Sequence, residues 1–215
     1  MSDHDHPHDH EPPADESGPD SYHQVMEVAL RELLIEKSVV SADELRAAVE
    51  DMDSRTPARG GRVVARAWID PAFRERLLND GPAACRELDV DVSPALLTVV
   101  ENTEDVHNAV VCTLCSCYPR PLLGLPPSWY KSTEYRARMV REPRSVLAEF
   151  GLELPDDVAV RVHDSTADLR YLVLPMRPSG TAGMDETELA SLVTRDCMIG
   201  VAVPTAGRTA SVPAA

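Results

Sequence analysis

Apolar residues recur along most of the chain in stretches whose spacing predicts helices and strands. Between Tyr22 and Lys37, the positions Val25, Met26, Ala29, Leu33 and Leu34 follow a helical period. A second helix is predicted from Ser41, whose hydroxyl can cap it, with Glu44 placed three residues later for a capping box. Its apolar face is Leu45, Ala48, Val49 and Met52. The stretch Ser54 to Gly61, rich in Pro, Gly and Arg, reads as a separator. Arg62 to Trp68 is apolar and fits a helix or a strand equally. Asp70 as an N-cap with Pro71 at the first helical position predicts a helix through Phe73, Leu77 and Leu78 to a stop at Gly81. Cys85 falls in a following short helix as a small apolar core residue.

Two strand-like runs follow, Leu96 to Val100 and Val106 to Val111, joined by the polar turn Glu101 to Asp105. Pro119, Pro121, Gly124, Pro126 and Pro127 then stiffen an irregular segment. Helices are predicted through Tyr135 and Met139 and from Pro143 to Phe150, the latter ended by Gly151. Val158 to Val162 and Leu169 to Leu174 alternate like a pair of strands. Thr187 to Val193 reads as a short amphipathic helix and Ile199 to Val203 as a final strand. Clustered strands flanked by helices suggest an α+β fold, layered α-β-β-α, rather than a doubly wound parallel sheet. The expected organisation is a disordered tail over residues 1–20, an extended N-terminal helical arm over 21–60, and an α+β domain over 61–215.

Composition narrows the function classes. A net charge of −15 over 215 residues makes nucleic acid and anionic membranes poor partners. No apolar run reaches the length of a bilayer span and no signal peptide opens the chain, so a cytoplasmic location is the expectation. The tail carries His4, His6, His8 and His10 among Asp, Pro and Glu; it reads as a solvated segment, or as an arm that captures metal.

The most telling chemistry is Cys112-Thr-Leu-Cys115-Ser-Cys117, at the end of the second predicted strand. Five cysteines in all, three of them crowded into one loop, argue against a secreted disulfide framework. Thiolates so close together point to a metal. A structural zinc site needs a fourth ligand, for which His107 and His163 are the histidine candidates. An iron–sulfur cluster needs a fourth cysteine, and Cys85 or Cys197 serves only if the fold brings it close. A third reading is a mononuclear trivalent cobalt or iron centre in which the backbone nitrogens of Ser116 and Cys117 join the three sulfurs; hard amide donors suit such an ion better than zinc.

The run Val-Cys-Thr-Leu-Cys-Ser-Cys resembles the metal-binding motif of nitrile hydratase α subunits and of the related thiocyanate hydrolase γ subunit. The resemblance extends to Arg62–Trp68 with Asp70-Pro71, to Leu123–Pro127 with Trp129–Lys131, to Val140–Arg144, to Leu174-Pro175, and to Arg195-Asp196 with Ile199–Val201. It covers nearly everything from residue 22 to 204. It implies that Cys112 stays a thiolate, that Cys115 becomes a sulfinic and Cys117 a sulfenic acid, and that the amides of Ser116 and Cys117 complete the ligand set. Thr113 is the residue cobalt members carry, so low-spin Co(III), one per chain, is expected over Fe(III). The implied reaction is hydration of a nitrile to an amide, with Cys115 and Cys117 taking part. The implied partners are a β subunit, or two split β-like subunits, and an activator or metallochaperone.

Tyr118, Arg120 and Trp129 are the expected pocket residues. Arg120 stands where nitrile hydratases usually carry tryptophan, which suggests a polar or bulky nitrile, including a nucleoside nitrile. A glutamine that many members place near the metal aligns with Ser93. Tyr135–Arg138 and Asp196-Cys197 are similar to thiocyanate hydrolase, which makes thiocyanate the rival substrate. A non-catalytic metal chaperone is the rival of another class.

Overall fold

The computed structural model describes residues 22–206. The His-rich tail lies outside them. The chain divides into two compact units with the cut between Glu50 and Asp51. The first holds helix α1 (Tyr22–Glu36) and most of α2 (Ala42–Ser54). The capping box forms as expected: Glu44 Oε2 accepts from the Ser41 N–H at 2.8 Å, and the Glu44 N–H donates to Ser41 Oγ at 3.1 Å. Neither helix buries a residue, and Val25, Met26, Leu33, Val49 and Met52 are all exposed.

In the second unit, the expected separator is instead the start of helix α3 (Pro57–Ile69), which also settles Arg62 to Trp68 as helical. Pro57 opens the helix, where its missing N–H costs nothing. Gly60 and Gly61 serve close packing rather than flexibility. A Cβ at Gly60 would stand 2.6 Å from Met198 Sδ, and one at Gly61 2.9 Å from the Ala190 carbonyl oxygen. Helix α4 (Pro71–Asn79) is capped by Asp70, which accepts from the Phe73 N–H at 2.9 Å. Gly81 does not end it: Asp80 caps a new helix, α5 (Gly81–Arg86), that Gly81 begins.

Four strands are present among the described residues: β1 (Leu96–Glu101), β2 (Val106–Val111), β3 (Ala159–Asp164) and β4 (Leu169–Leu174). The expected pairing of the last two with each other does not occur. β1 pairs with β4 and β2 with β3, both in parallel, as two two-stranded sheets. Period-two alternation identifies a strand but not its neighbour. Parallel partners need long crossovers; residues 112–158 supply one, carrying α6 (Arg120–Leu123), α7 (Ser128–Lys131), α8 (Thr133–Arg141) and α9 (Pro143–Glu149). The register places Asp164 opposite Val111, beside the cysteine loop.

After β4 come α10 (Glu186–Ser191) and α11 (Arg195–Ile199). The strand expected over Ile199 to Val203 is absent. Thr194 caps α11 through the Cys197 N–H, and Gly200 ends it in the left-handed region at φ +89°. The core joins α3 (Val63, Val64, Ala67) and α4 (Phe73, Leu77) to inward residues of both sheets, including Val99, Val110, Leu172 and Val173. The fold is therefore α+β. No helix among the described residues is long and apolar enough to cross a membrane.

Candidate metal centre

Strand β2 is buried along most of its length and delivers Cys112 into the core at 1 % exposure. The chain then turns outward, leaving Leu114 85 % exposed, and returns through Cys115 and Cys117 to the buried Tyr118. Cys112 Sγ and Cys115 Sγ stand 3.5 Å apart, Cys115 Sγ and Cys117 Sγ 3.3 Å. All three sulfurs lie within 4.8 Å of one another.

These spacings test the ligand readings. With metal–sulfur bonds of about 2.3 Å, sulfurs at right angles sit roughly 3.3 Å apart and tetrahedral ones roughly 3.8 Å. The Cys115–Cys117 distance matches a right angle, as in square or octahedral coordination, and the Cys112–Cys115 distance lies between the two geometries. The Cys115 N–H donates to Cys112 Sγ at 3.3 Å, and the Ser116 and Cys117 amides lie close enough to the Cys115 sulfur to lower its pKa. Among the described residues no fourth side-chain donor joins. His107 is committed elsewhere, its Nε2 2.7 Å from the Gly200 carbonyl oxygen and its Nδ1 3.2 Å from Asn102 Nδ2. His163 Nε2 is 2.8 Å from Asn108 Oδ1. Cys85 and Cys197 are buried apart from the cluster. The donor set fits an ion that accepts sulfur and amide nitrogen, and fits neither four-side-chain zinc nor a four-cysteine cluster.

Crowding splits the thiol acidities. Hydrogen bonds from Cys117 and Cys112, and then from the Ser116 and Cys117 amides, pull Cys115 down to about 7. Burial, and then the neighbouring thiols, push Cys117 up to about 12. A bound cation would remove the repulsion that opposes gathering several thiolates in one loop.

Three residues that local pattern does not mark hold the loop. Asp164, at the end of β3, accepts from the Thr113 N–H at 2.9 Å and from its hydroxyl at 2.6 Å. Arg136, on α8, donates to the Thr113 carbonyl at 3.3 Å. Tyr130, on α7, donates from its hydroxyl to the Cys117 carbonyl at 2.8 Å. Burial pushes the Tyr130 phenol well above its ordinary range, so it stays a donor.

A cavity of about 370 Å³ opens beside the sulfurs. Cys115, Ser116, Cys117, Tyr118, Arg120 and Ser93 line it, with Arg170 from β4 and Arg55 from the segment before α3. Arg120 is exposed, and Tyr118 is buried with its hydroxyl 3.4 Å from the Leu123 carbonyl. Trp129 is not in this wall. It is half-buried in an aromatic cluster, edge-on to Phe150 at 4.7 Å and Tyr135 at 4.9 Å.

Fold and loop together define a three-cysteine cluster able to hold a metal ion, at the end of a buried strand in an α+β domain. The family model described as nitrile hydratase, alpha chain, matches residues 21–202, and the chain belongs to that family. The low-molecular weight cobalt-containing nitrile hydratase subunit alpha of Rhodococcus rhodochrous is 53 % identical over 183 residues, 82 % of this chain and 86 % of that protein. The thiocyanate hydrolase subunit gamma of Thiobacillus thioparus is 46 % identical over 198 residues, 86 % of this chain and 82 % of that protein. A solved structure of recombinant thiocyanate hydrolase with partially modified cobalt centres superimposes with a TM-score of 0.83 at 44 % identity, covering 91 % of this chain and 97 % of that one.

Proposed function

We propose that this chain is the α subunit of a cobalt-dependent nitrile hydratase, adding water across R–C≡N to give the amide, in the cytoplasm. The observation that carries the reading is the gathering of three cysteine sulfurs within 4.8 Å of one another at the end of a buried strand, beside an open cavity. Cys112, Cys115, Cys117 and the amide nitrogens of Ser116 and Cys117 would hold Co(III), which supplies Lewis acidity to the bound reactant. The cobalt-containing relative supports that metal.

In this reading Cys115 is a sulfinic and Cys117 a sulfenic acid. Cys117 lines the cavity, so its sulfenate oxygen would be available there to attack the nitrile carbon or to take a proton from the attacking water. Thr113, clamped by Asp164 and Arg136, keeps the loop from relaxing, and Tyr130 orients the Cys117 peptide. A β subunit, or two split β-like subunits, completes the pocket and supplies cations to the oxidised sulfurs. The two sheets form the inner layers of an α-β-β-α stack, a view supported by helices packed against both of them.

The test is elemental analysis combined with intact peptide mass. One cobalt per chain with oxygen added to Cys115 and Cys117 is expected; stoichiometric zinc with three unmodified cysteines would sink the reading. A second reading, a thiocyanate hydrolase γ-type subunit, is favoured by Arg120 in the cavity wall. Turnover of thiocyanate but of no nitrile would decide for it.

A further inference from the structure

The cavity beside the cysteines is lined by three arginines, Arg55, Arg120 and Arg170, and by no carboxylate. In a chain of net charge −15 this is a local reversal of sign. The three are not equivalent. Arg55 is ion-paired with Asp51 and largely neutralised. Arg170 bonds the Thr166 carbonyl and has no carboxylate partner among the described residues. The Arg120 guanidinium has no hydrogen bond or ion pair among the described residues. Val92, Pro94, Ala95, Leu97 and Pro121 give the same cavity an apolar portion of wall.

We propose that the substrate is an organic nitrile carrying an anionic group, carboxylate or phosphate, with its nitrile end at the cysteines and its anion on Arg120. The proposal rests on the hydratase reading and names the substrate class for the same site. A guanidinium binds carboxylate or phosphate through a two-pronged contact, and it favours charged over neutral ligands when no internal carboxylate competes. The part of the pocket on this chain, about 370 Å³ before a partner subunit completes it, is in the range of organic ligand sites. The apolar wall suits the carbon skeleton that joins nitrile and anion.

The experiment uses the cobalt-loaded complex with its partner subunits and compares 3-cyanopropionate, neutral valeronitrile and thiocyanate. The wild type should prefer 3-cyanopropionate, through a lower KM that rises with added salt. Arg120→Gln should reduce kcat/KM for 3-cyanopropionate relative to valeronitrile by about tenfold or more, chiefly in KM, with partial rescue by Arg120→Lys. Calorimetric binding of succinamate, the charged product, should weaken in the same order with cobalt present or absent. A wild-type preference for valeronitrile, or an equal effect of Arg120→Gln on both nitriles, would overturn the proposal while leaving the hydratase reading intact. Thiocyanate as the sole substrate, or no nitrile turned over at all, would overturn both.

Discussion

Asp164 receives both the backbone N–H and the side-chain hydroxyl of Thr113, at 2.9 and 2.6 Å, and so joins the end of β3 to the first turn of the cysteine loop. The contact exists because β3 lies parallel to β2 with Asp164 opposite Val111. Thr113 thus takes no position as a metal ligand; its hydroxyl fixes where the ligands start. Asp164→Ala should remove both acceptors and destabilise the ordered loop by about 1–2 kcal/mol. Cobalt loss to a chelator should speed up by about tenfold, with Asp164→Asn intermediate because one amide oxygen still accepts. Chelator-exchange kinetics followed by elemental analysis check this; unchanged retention in Asp164→Ala would remove the clamp from the account.

Tyr130 holds the other end of the loop through the Cys117 carbonyl. Its ring also packs edge-on against Tyr118 at 5.3 Å, within the core. Tyr130→Phe keeps the ring and deletes only the donor, so it should cost about 1–3 kcal/mol in denaturant unfolding. Metal exchange should quicken in the same variant, whereas Trp129→Phe, away from the loop, should lower stability without quickening exchange. Equal exchange rates in the two would show that the Tyr130 bond has no special hold on the loop.

Gly200 ends α11 at φ +89°, and a Cβ there would lie 2.0 Å from the Asn108 carbonyl oxygen and 2.8 Å from Ala109 Cα. Both neighbours belong to β2, which leads to Cys112, so neither can yield without moving the strand. Gly200→Ala should therefore cost about 3 kcal/mol or more, combining overpacking with an unfavourable backbone conformation. Thermal unfolding near that of the wild type would contradict this packing.

Burial pushes the His107 imidazole below its ordinary 6.5, although its bond to the Gly200 carbonyl acts the other way. The unfolded chain takes up a proton near that value, and the folded chain only at lower pH. Stability carried by neutral His107 is therefore complete above about 6.5 and is lost as the pH falls toward the folded value. His163, lowered by burial and by Arg161, acts in the same direction. The melting temperature should fall progressively from pH 6.5 to 5, less steeply in His107→Gln. An identical slope in the variant would move the effect to other groups.

Much of this protein was legible residue by residue, because the relevant chemistry is local. Capping by Ser41 and Asp70, and the prolines that open α4 and α9, follow from backbone groups a few residues away. The same holds for the cysteine spacing, which alone narrows the metal chemistry. Two local signals misled. Glycines 60 and 61 read as a linker but are sites of close helix packing, and the apolar run after Ile199 read as a strand but follows a capped helix.

The sequence by itself determined the donor atoms and the strand that carries them, since sulfur identity and spacing are written in six consecutive residues. Only the tertiary structure decided which strands pair, because parallel partners are set by burial across a long crossover rather than by alternation. That pairing brings Asp164, Arg136 and Tyr130 to the loop from three separate elements. It also gathers Arg120 and Arg170 around one cavity and leaves Trp129 outside it. Charge and hydrogen bonding act through space, so Asp164 and Arg170 had no signature along the chain, whereas Tyr118 and Arg120 stand beside the cysteines in sequence.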